Sequence, residues 1–80
     1  MNLYYLSQDD RTYWDTYDSC IVCAENEEEA KKIHPNGSIF DETEKLKSWA
    51  DSLETIGCTK IGIAENNVDK GVVIASFNAG

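Results

Sequence analysis

The stretch "YDSCIVCAENEEEAKKIHP", residues 17–35, decides the fold class. Its first part, Tyr17 to Ala24, is rich in aromatic and branched side chains and reads as a strand. Its second part carries Asn26 where a helix N-cap belongs, Glu29 three residues on to form a capping box, and Pro35 as a stop. A strand running straight into a capped helix is the joint of a mixed α and β fold. The acids of that helix serve it first. Glu27 precedes Lys31 by four residues and Glu28 precedes Lys32 by four, the favourable direction for helical ion pairs, and all three glutamates lie near the positive end of the helix dipole.

The same stretch holds a Cys-x-x-Cys pair, Cys20 and Cys23, which invites a metal or redox reading. Strand periodicity argues against it. Side chains alternate between the two faces of a strand, so two cysteines three apart point to opposite sides and cannot grip one ion together. Ile21 and Val22 between them favour extended backbone over the tight turn of a zinc knuckle. Cys58 and His34 are the remaining soft ligands, at spacings that match no zinc motif. Both thiols of the pair are therefore expected to act as small core hydrophobes, and no metal or cofactor is expected.

Working outward, "NLYYLS" (residues 2–7) reads as a first strand that pairs with 17–24 in a hairpin around the polar loop "QDDRTYWDT". Beyond the joint, "DETEKLKSWADSLETIG" suggests a second helix over 41–56. Asp41 can cap it with Glu44 three residues on, and Leu46, Trp49, Ala50, Leu53 and Ile56 recur at helical spacing before Gly57. "CTKIGIAE" (58–65) and "KGVVIASFN" (70–78) read as two more strands. The polar "NNVD" between them reads as a hairpin turn, and the alternation of Thr59, Ile61 and Ile63 suggests one inward face. The expected architecture is a single domain, residues 1–80, of α+β class. It is a two-layer sandwich with an antiparallel sheet of about four strands and one or two helices on one face, in the order β-β-α-(α)-β-β.

Bulk properties narrow the function. Fifteen acids against seven bases give a formal charge of −8 over 80 residues. Direct binding of DNA or RNA is disfavoured, because phosphate contacts need a basic footprint. No apolar run approaches the roughly 18 residues of a membrane span, and the opening residues lack the basic start of a secretory signal, so a cytoplasmic protein is expected. Three cysteines without an export signal read as reduced thiols, and Asn36-Gly37-Ser38 reads as a turn rather than a glycosylation site. His34 is the single histidine, expected as a C-terminal cap or surface residue; no Gly-x-Ser-x-Gly elbow or phosphate loop is present. An enzyme is not expected.

Helix stability accounts for much of the helical charge, and it leaves a loop set unexplained: Asp9, Asp10, Asp15 and Asp18, interleaved with Tyr13 and Trp14. Acids mixed with tyrosine and tryptophan are the composition of a protein-binding hot spot. With Glu25, Glu28 and Glu29 adding charge, these residues form the candidate partner-binding site, suited to a protein whose basic surface normally holds nucleic acid.

Two blocks, "DTYDSCIVCAENEEEAKKIHP" (15–35) and "KGVVIASFNAG" (70–80), cover 32 of the 80 residues. They resemble a group of small proteins encoded by bacteriophages and prophages that share a "DTYDS...A.E.E.EA..IHP" block and close on "GVV.ASFNAG". The resemblance implies a mobile-element origin and a bacterial host cytoplasm, and it names no activity. By analogy of class, small acidic phage proteins are often inhibitors of host machinery, with anti-CRISPR proteins the best-known case. The expected function is thus a non-enzymatic inhibitor that blocks the basic DNA-binding surface of a host nucleic-acid-handling complex, a CRISPR effector foremost. The alternative is a phage accessory or structural protein acting through self-association, as a homodimer in which the hydrophobic "GVVIASF" strand, if it lies on a sheet edge, pairs with its twin across a twofold axis.

Overall fold

The computed structural model describes residues 1–44 and 47–78. Four strands, β1 (Asn2–Ser7), β2 (Thr16–Ala24), β3 (Gly57–Ile63) and β4 (Gly71–Asn78), form one antiparallel sheet in the order β3-β1-β2-β4. A five-residue helix, α1 (Glu27–Lys31), follows β2, and a 3-10 turn spans Leu53–Thr55. The class is the expected one, a small α+β fold on a four-stranded antiparallel sheet, with less helix than the sequence suggests.

The central hairpin sets the register. Tyr4 lies opposite Val22 and Leu6 opposite Cys20, while Tyr5 lies opposite Ile21 and Leu3 opposite Cys23. Period-two alternation sends the first set to one face and the second set to the other. The first face is the inside. Tyr4, Leu6, Cys20, Val22 and Ala24 pack there with Ala30 of α1 and with Trp49, Ala50 and Ile56. Asn26 caps α1 as expected, its side chain accepting from the Glu29 backbone N–H at 2.9 Å. The Glu29 carboxylate completes no capping box and lies 3.4 Å from Lys70 instead.

Three expectations are corrected. The stretch 41–56 is not one helix across its described residues; Lys45 and Leu46, and with them the proposed apolar position at Leu46, lie outside the described residues. Asp41 forms a local turn by accepting from the backbone and hydroxyl of Thr43. The backbone groups that a helix would consume are taken by distant partners. Ser48 O accepts from Tyr17 N, the Glu42 carboxylate from Leu53 N, and the Asp10 carboxylate from Asp51 N. Of the apolar stripe, Trp49, Ala50 and Ile56 are buried and Leu53 packs partly buried against them, but tertiary hydrogen bonds hold the segment in an irregular loop.

"NNVD" does not close a hairpin, because β3 and β4 lie at opposite edges of the sheet. Residues 64–70 instead form an arch over one end of the β1–β2 hairpin, where Ala64 N donates to Met1 O and the Cys23 thiol approaches Val68 O. A turn does occur inside the arch, Val68 N donating to Glu65 O. Each central strand exposes one row of unpaired backbone groups, and the arch lets one chain segment satisfy both rows. Gly71 admits the chain to β4 with φ +135, a conformation that L side chains rarely adopt.

Thirdly, Thr59, Ile61 and Ile63 are not buried. All three are exposed: Thr59 stands opposite Tyr5 on the face away from α1, and Ile63, past the irregularity between Leu3 and Tyr4, stands opposite Asn2 at the rim of the α1 side. The core lies over the central hairpin on the α1 side. Burial is therefore one-sided, and a paired measurement tests it. Leu6→Ala, at a fully buried position, is expected to lower the unfolding free energy by ~2–5 kcal/mol in denaturant titrations followed by circular dichroism. Ile63→Ala, at a position 76% exposed, is expected to change it by less than ~0.5 kcal/mol.

Candidate functional site

The loop between β1 and β2, residues 8–15, is built on its own polar framework. Gln8 is buried, and its side-chain amide donates to Arg11 O and Tyr17 O while its carbonyl oxygen accepts from Arg11 N at 2.7 Å. One side chain thus closes the base of the loop. A second set of bonds ties the loop to the far segment 51–55. Asp10 accepts from Asp51 N at 2.9 Å and from the Thr55 hydroxyl, and the Arg11 guanidinium reaches the Asp51 carboxylate at 2.6 Å. The Thr55 hydroxyl, then the Asp51 amide, hold the Asp10 carboxyl below its ordinary pKa, helped by Arg11 and Lys47.

The tip of the loop is different in kind. Tyr13 is 58% and Trp14 69% exposed, large apolar surfaces left in water at adjacent positions. Their backbone is held all the same. Tyr13 O accepts from the Thr16 hydroxyl and from Asn78 Nδ2, and Asp15 N donates to Asn78 O. Asp15 adopts φ +62, in the left-handed region that aspartate tolerates better than most residues. The result is a braced loop with two aromatic rings projecting from it, beside a shallow hollow lined by Thr12, Tyr13, Trp14 and Asn78.

The candidate residues separate into two groups. Asp9, Tyr13, Trp14, Asp15 and Asp18 are exposed at the loop end of β2, with Asp18 on a bulge where Tyr17 and Ser19 pair with the adjacent residues Phe77 and Ser76. Asp10 belongs to this end but is engaged by Asp51 and Thr55. Glu25, Glu28 and Glu29 lie beyond the other end of the nine-residue β2, roughly 25 Å away at strand rise. Glu28 is within 3.9 Å of Lys32 and Glu29 within 3.4 Å of Lys70, so Glu25 is the one of the three without a described ion pair. One loop-centred patch and one helix-end patch replace the single site expected from the sequence. The bonds from Asp10 and Arg11 to residues 51–55 span about 40 positions of chain and have no local signature.

The thiols and the histidine are placed by burial. Cys20 sits in the core and Cys23 on the opposite side of β2 beneath the arch, both fully enclosed, as the parity argument requires. Burial pushes the Cys20 thiol up to about 12. Cys58 is half-buried on β3, raised by desolvation and by Glu27, with Lys31 acting against both. Among the described residues no three His, Cys, Asp or Glu side chains converge to hold a metal ion. His34 is not on the surface. It is 3% exposed, lies edge-on to Tyr17 at 5.8 Å, and its Nδ1 accepts from Asn36 N at 3.0 Å, which places the ring proton on Nε2.

Comparison with known proteins gives no matching family model, no matching curated protein and no matching solved structure. Among the described residues no helix is long and apolar enough to cross a membrane.

Thiol titration of the folded protein should label Cys58 well ahead of Cys20 and Cys23, which react only on unfolding; rapid labelling of all three would contradict the buried placement. His34 carries a pKa lowered first by desolvation, with Glu44 and the Asn36 bond acting the other way. The unfolded chain therefore takes up this proton at higher pH than the folded one, near 6.5. Its contribution is complete above about pH 6.5 and is lost as pH falls through the lower folded value. Denaturation midpoints should drop as pH falls below about 6.5, and His34→Gln should flatten that part of the profile.

Proposed function

We propose that this chain is a non-enzymatic binding protein whose braced aromatic loop docks on a basic surface of a host nucleic-acid-handling complex, a CRISPR effector foremost, and excludes nucleic acid from it. The observation that carries the reading is the exposure of Trp14 and Tyr13 on a loop whose backbone is held by Thr16 and Asn78. Rings of this size in water are favourable only when something covers them, and a loop already held in place loses little further freedom on binding. The exposed carboxylates Asp9, Asp15 and Asp18 flank the rings, and Arg11, the loop's one cation, is neutralised by Asp51. A net charge of −8 repels nucleic acid and attracts the protein surfaces that bind it. The choice of a CRISPR effector within that class rests on the analogy with small acidic phage inhibitors.

In this mechanism charge sets the encounter rate and the aromatic pair sets the lifetime of the complex. Affinity capture from bacterial lysate with the full chain as bait is expected to retain a nucleic-acid-binding complex at low salt and to release it at high salt. Trp14→Ala is expected to weaken capture by about tenfold or more, the scale of a hot-spot aromatic. Replacing Asp9, Asp15 and Asp18 together by asparagine is expected mainly to slow association. Capture that ignores both salt and Trp14→Ala, or that yields no nucleic-acid-binding protein, would overturn the proposal.

A further inference from the structure

The sheet's second face carries three rows of residues in register across all four strands. One row is Gly57, Ser7, Ser19 and Ser76; the next is Thr59, Tyr5, Ile21 and Ile74; the third is Gly62, Leu3, Cys23 and Gly71. No charged residue stands at any of these positions, in a chain with 22 charged side chains. Tyr5 is 42% and Ile74 62% exposed at the centre of this face, and no described helix or loop covers them. We propose that a second copy of this chain covers the face, in a symmetric dimer that stacks sheet on sheet.

Charge argues for a second copy. At −8 per chain two copies repel one another over most of their surface, and a face without charge is where they can meet. A basic partner, by contrast, gains nothing from these rows. Shape points the same way. A hollow between β2 and β4 is walled by the exposed Tyr5 and Ile74 with Ser19, Ile21 and Ser76, and Cys20 and Ala75 complete its lining. A face bearing both knobs and a hole meets the requirement of a twofold interface, in which the same patch serves both partners. Sheets stacked in this way interdigitate their side chains at about 10 Å separation.

Area sets the strength. Four strands about 4.8 Å apart and some seven residues long offer roughly 450 Å² of face, and with Cys23 already beneath the arch two copies bury less than about 900 Å² in total, the size of a weak, transient interface. The dimer is therefore reversible, not obligate. Edge pairing of β4 with its twin is a poorer solution, although β4 does lie at a sheet edge. Val73 is bulged out of the ladder between Val72 and Ile74, and an edge bulge twists the free backbone groups away from a straight partner.

Sedimentation equilibrium of the full chain over a wide concentration range tests the proposal. The expected result is a mass rising toward twice 9.0 kDa, with association strengthened by added salt as the net charges are screened. Ile74→Lys and Thr59→Lys, both at exposed positions, should each raise the dissociation constant by about tenfold or more with circular dichroism unchanged. Ile39→Lys, at an 83% exposed loop position, should leave association unaltered. A chain that stays monomeric throughout, a dimer that survives both lysine variants, or one that dissociates as salt is added would each overturn the proposal. Opposite salt responses, and the insensitivity of dimerisation to Trp14→Ala, keep this outcome separate from that of the loop proposal.

Discussion

Pairing of Tyr4 with Val22 and Leu6 with Cys20 across the central hairpin is the constraint on which the rest of the molecule depends. Because a strand alternates its side chains, a slip of one residue would turn that buried set toward water and bring Tyr5 and Ile21 inside. Once this register is fixed, the covered face is fixed with it. Ala30, Trp49, Ala50 and Ile56 have a single surface on which to bury, and α1 and the long loop assemble there. The helix is short because its work is limited: it presents Ala30 to the core, and its acids stay in solvent or beside Lys32 and Lys70.

One-sided burial also sorts the chemistry of the surface. Most charges lie on the helix, the loops and the arch, with Asp18 on the β2 bulge and Lys60 opposite Tyr4 in β3, while the three registered rows of the second face have none. Two of the exposed apolar groups differ in setting, since Trp14 and Tyr13 sit among carboxylates and Tyr5 and Ile74 sit among neutral residues. The first is the surface proposed for a basic partner and the second the one proposed for a second copy of the chain. A surface divided in this way can hold two interactions that do not compete for the same residues.

How far the sequence revealed this structure depends on the range of the interactions involved. The strand-to-helix joint, the Asn26 cap and the opposite orientation of Cys20 and Cys23 follow from neighbours within a few positions, and all three are present. The stripe Trp49, Ala50, Ile56 revealed burial but not conformation, because Tyr17, Asp10 and Glu42 capture the backbone of residues 48–53 from elsewhere in the chain. Edge placement of β3 and β4 was not legible, since two strands seven residues apart look alike whether they pair with each other or with the two sides of an existing hairpin. His34 misled for a related reason: Pro35 marks a helix stop, but nothing local shows that Tyr17 and Asn36 enclose the imidazole. Of the candidate site, the exposed aromatics and their acids were visible in composition, whereas the removal of Asp10 to a structural role required the contact with Thr55.

The arch of residues 64–70 has a consequence for how the chain is made. β1 and β2 are adjacent in sequence and can close as soon as both have left the ribosome, yet the free edge of β2 must wait for β4, some fifty residues later. For that interval a growing chain carries a folded hairpin with an unpaired edge and an uncovered apolar face on the same strand, the combination that favours association with neighbouring nascent chains. Synthesis through Asn78 ends the exposure of the edge, and the acidic loops emerging between the two events supply repulsion while it lasts.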